Sequence, residues 1–160
     1  MFQSFKIYSM YSVLLVLHNV FRWLVLISLL YSILRSFQGY RGALPFTPQD
    51  NAIRHWTATL AHIQLLLGIV LYTQSPLVHQ YFATDAGNLE SLFFSLIHIS
   101  LMLLAIVLIT IGSAKAKRQT TDLLKFKTIL VWFSIALFVI FIAIPWPFSP
   151  LAQRPYLRLQ

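Results

Sequence analysis

Three histidines and one arginine lie inside long apolar stretches of this sequence: His18, Arg22, His62 and His98. Ionisable side chains are costly in a hydrocarbon layer, so those found there usually face a bundle interior and serve a function. Imidazoles from facing helices are the axial ligands that iron takes in a b-type haem. These residue types, spread over separate apolar segments, therefore predict a haem b held by two histidines.

The depth of each histidine indicates which pair would hold the iron. A helix rises about 1.5 Å per residue, so the distance from a segment's end gives its depth. By this measure His18 and His98 lie at similar depths in the outer half of the membrane, and they are the preferred iron ligands. His62 falls nearer the midplane and is the alternative ligand if its helix is tilted or longer. His55 and His79 lie at the membrane edges, where an interfacial role is expected.

Arg22 is the second element of the predicted cofactor site. It follows His18 by four residues, so both side chains occupy one helical face. A buried guanidinium pairs well with a carboxylate, and the apolar segments contain none, so a haem propionate would supply the partner. Backbone carbonyls, a lipid phosphate or a quinone oxygen are the alternatives, and a quinone is the second cofactor considered.

Composition identifies the environment of these residues. The chain has 160 residues, of which 58% are hydrophobic and 10% charged, and its mean hydropathy is +0.74. Soluble domains carry about 25% charged residues, so this composition predicts a membrane protein. The net charge of +8 comes from residues between apolar blocks, which indicates membrane topology and no nucleic-acid partner. The absence of cysteine excludes disulfides and thiolate metal sites.

Four segments are apolar over the roughly 20 residues that a membrane span requires. They cover about 10–35, 53–74, 89–112 and 126–144. Lipid offers backbone groups no hydrogen-bond partners, so the spans must be helical. Thr47 or Asp50 is positioned to cap the second helix. The sequence thus predicts an all-α, integral membrane, up-down four-helix bundle that forms a single domain over residues 1–160.

The distribution of lysine and arginine predicts the orientation. The second loop has the acidic Asp85 and Glu90 and no basic residue, while Arg154 and Arg158 lie near the end of the sequence. The positive-inside rule therefore places the first and third loops in the cytoplasm and both termini outside, in a bacterial inner membrane. Those two loops hold the remaining basic residues apart from Lys6 and Arg22: Arg35, Arg41, Arg54, Lys115, Lys117, Arg118, Lys125 and Lys127.

Several sequence motifs accompany these polar positions. They read HNVFRWLVL at 18–26, AHIQLLLG at 61–68, HISLML at 98–103, ITIGSAKAK at 109–117, KFKT at 125–128 and IPWPF at 144–148. In this order they resemble a family of short four-helix membrane proteins from Bacteroidetes labelled "cytochrome B", over most of residues 12–148. The resemblance implies four helices and a haem-linked redox role, with His18, Arg22, His62 and His98 as the shared polar positions.

The chain departs from that family pattern at several places. Asn19 and Val20 stand where small residues are usual, and a common histidine is replaced near Ser113. Ile97 occupies the position of an acidic residue that commonly precedes His98. Because carboxylates often fix the tautomer of an imidazole, its loss argues against a proton-coupled role.

Two other functions compete with the cytochrome. A non-catalytic accessory subunit of a larger membrane complex would use the histidines as hydrogen-bonding residues between helices, without haem. Helices that are apolar all round favour contacts with lipid, other membrane subunits or further copies of the chain. A transporter is disfavoured because there are no inverted repeats or broken helices. No nucleophile–base–acid arrangement is visible, so electron transfer or an accessory role is favoured over a stand-alone enzyme.

Overall fold

Helices form most of the described chain. The computed structural model describes residues 2–84, 88–150 and 152–156, with helices α1 (Phe2–Arg41), α2 (Pro48–Gln74), α3 (Pro76–Thr84), α4 (Leu89–Arg118) and α5 (Asp122–Ala143). Four of them, α1, α2, α4 and α5, are long and apolar enough to cross a membrane. The predicted all-α four-helix bundle is confirmed, and the chain is a multi-pass membrane protein whose environment is a lipid bilayer.

The four long helices pack in a ring in chain order. α1 contacts α2 and α5, while α4 contacts α2 and α5. We call the end where α1 passes into α2 and α4 into α5 the basic end. The opposite end, where α3 and the tail segment 152–156 lie, is called the tail end. Asp85 and Arg158, which entered the charge pattern, lie outside the described residues.

The tightest packing joins α4 to α5. A side chain at Gly112 would collide with Trp132, so the glycine permits close approach of the two helices. Small residues at such contacts are typical of membrane helices, where packing drives association. Buried residues recur at spacings of three and four along both helices: Ala105, Ile109, Gly112 and Ala116 on α4, and Ile129, Phe133, Ala136 and Ile140 on α5.

The Arg35–Asp50 ion pair and the hydrogen bonds of Arg54 tie the helices together at the basic end. The Asp50 carboxylate accepts hydrogen bonds from Arg35 Nε at 2.7 Å and from the Thr47 backbone N–H at 2.9 Å. Arg54 is buried and donates to the side chain and carbonyl of Ser113 on α4 and to Asn51 within α2. The sequence placed Arg35 and Arg54 in the first loop, but both lie in helices. The two arginines hold α1, α2 and α4 together at the basic end.

The helices extend beyond the apolar segments from which they were predicted. α1 continues past Arg35 to Arg41, and α4 continues past Gly112 to Arg118. Cations in a last helical turn interact favourably with the helix dipole, which supports these extensions. Thr47 caps α2 in a capping box with Asp50, so this helix begins at Pro48, well before residue 53. The short helix α3 was not predicted.

Candidate functional site

His18 lies on α1 in the half of the bundle nearer the tail end, where it faces α2. A Cβ placed on Gly68 of α2 would lie 3.3 Å from His18 Cε1, so the glycine leaves room for the imidazole. Gln64 of α2 donates through Nε2 to the His18 carbonyl at 2.9 Å, which fixes the two helices at this level. His18 Nδ1 is buried and has no hydrogen-bond partner among the described residues. One ring nitrogen of His18 is therefore buried with its hydrogen-bonding capacity unused.

His98 lies on α4 and is oriented by α5. Its Nδ1 lies 2.8 Å from the carbonyl oxygen of Ala143. A carbonyl only accepts, so Nδ1 carries the proton and Nε2 holds the lone pair that a metal ion would need. The rings of Phe93 and Phe94 lie with their centroids 5.8 and 6.0 Å from that of His98, which makes its surroundings apolar.

A π-helical turn over Phe93–Ile97 immediately precedes His98. Such turns are rare and often occur at functional sites, because the extra residue changes the face on which later residues lie. Tyr72 of α2 donates its hydroxyl to the Ser95 carbonyl within this turn at 3.0 Å. Ser95 Oγ is buried without a partner among the described residues. The turn thus sets the direction of His98 and adds a further unsatisfied polar atom to this half of the bundle.

Arg22 lies one turn from His18 and reaches the tail segment. Its guanidinium donates to the Tyr156 carbonyl, which also accepts from Trp23 Nε1 at 3.1 Å. Arg22 Nε is buried without a partner in the described part of the chain. Arg154 of the same segment pairs with Glu90 at the start of α4. The tail segment therefore joins α1 to α4 beside the two histidines, and Arg22 retains one unused donor.

Three of the four predicted site residues, His18, Arg22 and His98, lie in the tail-end half of the bundle. His18 and Arg22 lie one turn apart on α1, and Arg22 donates to the Tyr156 carbonyl of the tail segment. Arg154 of the same segment lies 5.3 Å over the Phe94 ring, whose centroid is 6.0 Å from that of His98. Two imidazoles and one cation therefore lie on α1 and α4 around the tail segment. Within the described residues, no three His, Asp or Glu side chains gather as they would around a metal ion. This site thus offers two nitrogen ligands and a positive charge.

The fourth predicted residue, His62, lies elsewhere. Its side chain is exposed on the outside of the bundle, where Nε2 lies 3.0 Å from Thr110 Oγ1 of α4. His55 is also exposed and lies beside Trp56. His79 lies in α3, where its Nε2 is 3.0 Å from the Thr73 carbonyl. The structure therefore does not bring these three histidines to His18 and His98.

Sequence reasoning missed several contributors to the site. Gln64 and Gly68 are four residues apart, so they lie on the same face of α2, the face that contacts His18. This spacing could have identified Gln64 from the sequence. Neither the π turn before His98 nor the Tyr156 carbonyl has a signal in the local residue pattern, because both depend on long-range packing. Comparisons of the chain with protein-family models, with curated proteins and with solved structures give no match.

The donor set fits a haem better than a bare metal ion. Structural zinc takes four protein ligands and catalytic zinc three, so two imidazoles do not complete such a site. Haem iron already has four porphyrin nitrogens, and two imidazoles complete its coordination. The unused His18 Nδ1 and Arg22 Nε are the kind of buried, unsatisfied atoms that call for an explanation such as an absent ligand.

Proposed function

We propose that this chain is a small b-type cytochrome-like membrane protein that holds one haem b between His18 and His98 and transfers electrons. The single observation that carries the proposal is that the tail-end half of the bundle holds two imidazoles and a cation. His18 Nδ1 and Arg22 Nε are buried there without a described partner, and His98 Nδ1 lies on the Ala143 carbonyl. Haem supplies reversible one-electron redox chemistry when bound, and the protein sets its ligation, surroundings and charge.

The residues of the chain have separate roles in this proposal. His98 keeps its proton on Nδ1 through the Ala143 carbonyl, which leaves Nε2 as an iron ligand. His18 is the second ligand, and its imidazole packs against α2 where Gly68 has no side chain. Arg22 supplies the positive charge that a haem propionate needs, through the Nε donor that has no described partner.

Aromatic packing around the site supports the same role. Phe93 and Phe94 border His98 and would exclude water, and this lowers the local dielectric and strengthens the effect of Arg22 on a redox potential. A hydrophobic enclosure of this kind is one of the means by which proteins tune haem. The site therefore combines two ligands, a cation and apolar walls.

The orientation proposed for the protein follows from its charges. The basic end carries exposed Arg41, Lys115, Lys117, Arg118 and Lys127. By the positive-inside rule this end faces the cytoplasm of a bacterial inner membrane, and both termini face outward. The histidine pair then lies in the outer half of the bilayer. Electrons would pass there between a quinol and a periplasmic or membrane-bound redox partner, with other membrane subunits as further partners.

The direct test is the reduced-minus-oxidised absorption spectrum of the purified protein, followed by haem extraction. The proposal predicts a b-type spectrum that His18→Ala and His98→Ala each abolish. His62→Ala is the matched control, since it removes an imidazole from the outside of the bundle and should leave the spectrum unchanged. A flat spectrum with no extractable haem would reject the cytochrome and leave an accessory subunit as the function.

A further inference from the structure

The outward face of α2 differs from the outward faces of α1 and α5. Exposed residues of α1 between Met10 and Phe37 and of α5 between Val131 and Ile142 are all apolar or tyrosine, as contact with lipid requires. On α2, polar residues interrupt the apolar ones at spacings of four and three. This α2 stripe consists of His55, Thr59, His62, Leu66, Ile69 and Thr73; Thr59 is half-buried and the others are exposed.

His62 occupies the most costly position in the α2 stripe. It lies near the middle of α2 (Pro48–Gln74), so a bundle that spans a membrane places it close to the bilayer midplane. Polar side chains at this depth almost always face protein or a water-filled cavity rather than lipid. The exposed imidazole therefore indicates that another protein surface covers the stripe.

The hydrogen bonds of His62 define what the covering surface must offer. The Thr110 hydroxyl donates to the Ile106 carbonyl at 2.7 Å, so the Thr110 oxygen accepts from His62 Nε2–H at 3.0 Å. The remaining ring nitrogen of this exposed side chain, Nδ1, is then an acceptor. Thr59 and Thr73 already donate to carbonyls of α2 itself, so the stripe provides no hydroxyl donor of its own.

We propose that the α2 stripe is the contact between two copies of this chain, related by a two-fold axis along the membrane normal. Such an axis keeps equal residues at equal depth, so His62 meets His62 of the second copy. One imidazole then donates Nδ1–H to Nδ1 of the other. In the copy that donates, the Thr110 hydroxyl turns from the Ile106 carbonyl and donates its one proton to Nε2 instead.

The distribution of exposed charges favours α2 over the other long helices as the contact between identical chains. Each copy carries a net charge of +8, so two copies repel wherever their basic residues approach. Exposed lysines and arginines lie on α1, α4 and α5, whereas both charged side chains of α2, Asp50 and Arg54, are buried. The 3.5-residue spacing of the stripe is that of paired helices with interlocking side chains. A second copy therefore meets least repulsion at α2.

The chain has no cysteine, so single-cysteine variants report this contact without interference. Purified Leu66→Cys and Ile69→Cys proteins, reconstituted alone in phospholipid vesicles and treated with an oxidant, should form disulfide-linked dimers. Leu17→Cys is the matched control: Gln64 and Gly68 both lie against His18, so Leu17 and Leu66 lie at similar depth on different helices. Cross-linking of Leu66→Cys that is no greater than that of Leu17→Cys would overturn the proposal.

A second variant tests the role of the polar residue. His62→Leu, measured in the Leu66→Cys background, should raise the dimer dissociation constant about threefold, because hydrogen bonds between membrane helices contribute about 0.6 kcal/mol on average. An unchanged constant would contradict a contact through His62. If Leu66→Cys in native membranes cross-links only to a different protein, the covering surface belongs to another subunit and the two-fold contact is wrong. Neither the cross-linking yield nor the dissociation constant depends on bound haem, so these tests are independent of the proposed function.

Discussion

Replacing Asp50 by asparagine tests whether the basic end of the bundle is held by a buried ion pair. The Asp50 carboxylate is 3% exposed and accepts from Arg35 Nε at 2.7 Å and from a second Arg35 nitrogen at 3.2 Å. It also accepts from the Thr47 hydroxyl at 2.7 Å and the Thr47 N–H at 2.9 Å. Asparagine keeps the shape and can still accept from Thr47, but it removes the negative charge that Arg35 requires.

The expected loss follows from these contacts. Hydrogen bonds to charged groups contribute about 1.5–3 kcal/mol, and breaking a fully buried pair costs about 3–5 kcal/mol. Arg35 remains 26% exposed and can regain water, which reduces the loss. We therefore expect Asp50→Asn to lower the free energy of unfolding by about 2 kcal/mol. Asp50→Ala should lower it by about 3 kcal/mol, because it also removes the Asp50 half of the α2 capping box, with caps worth about 1 kcal/mol.

The assay is reversible unfolding in mixed micelles with increasing sodium dodecyl sulfate, followed by circular dichroism. Asp122→Asn is the matched control, because Asp122 also lies in the first turn of a helix and pairs with a basic residue, Lys125. Its side chain is 45% exposed, so its loss should barely change the unfolding midpoint. Equal effects of Asp50→Asn and Asp122→Asn would refute the reasoning, since burial would then not determine the strength of the pair.

Two further substitutions test close helix contacts. Gly112→Val should destabilise the protein, because the valine side chain would collide with Trp132 and force α4 and α5 apart. The same unfolding assay should show that the free energy of unfolding falls by about 1–3 kcal/mol. A variant as stable as the wild-type protein would contradict this packing. Gly68→Val should displace the His18 imidazole and reduce bound haem while helix content stays constant. Unchanged haem absorbance in Gly68→Val would show that the contact of 3.3 Å does not position this ligand.

Composition and hydropathy were sufficient to predict the fold. Four apolar segments of adequate length leave few alternatives to helices that cross a membrane. The helix ends were harder to predict, because apolar windows report only the lipid-buried part. Thr47 and Thr121 extend α2 and α5 at their starts by accepting hydrogen bonds from the first turn, and such capping acts outside the apolar window.

The candidate site was predictable only in part. Helical rise alone suggested similar depths for His18 and His98, and both lie in the tail-end half of the bundle, where Arg22 contacts the tail segment. Depth says nothing about which way a side chain faces, so His62 was considered as a ligand although it lies on the outside of α2. The side of the bundle that His62 faces depends on which residues of α2 pack against the other helices. The carbonyl of Ala143 that orients His98 comes from a different helix, and no local pattern in the sequence reveals it.

The electron paramagnetic resonance spectrum of the oxidised, purified protein tests the central claim most directly. Two imidazoles on one haem iron give a low-spin ferric signal, so the proposal predicts that signal with about one haem per chain. His98→Ala should abolish it or convert it to a high-spin signal, because one axial ligand would be missing. Preparations without haem, or a high-spin signal in the wild-type protein, would contradict the proposed ligation by His18 and His98.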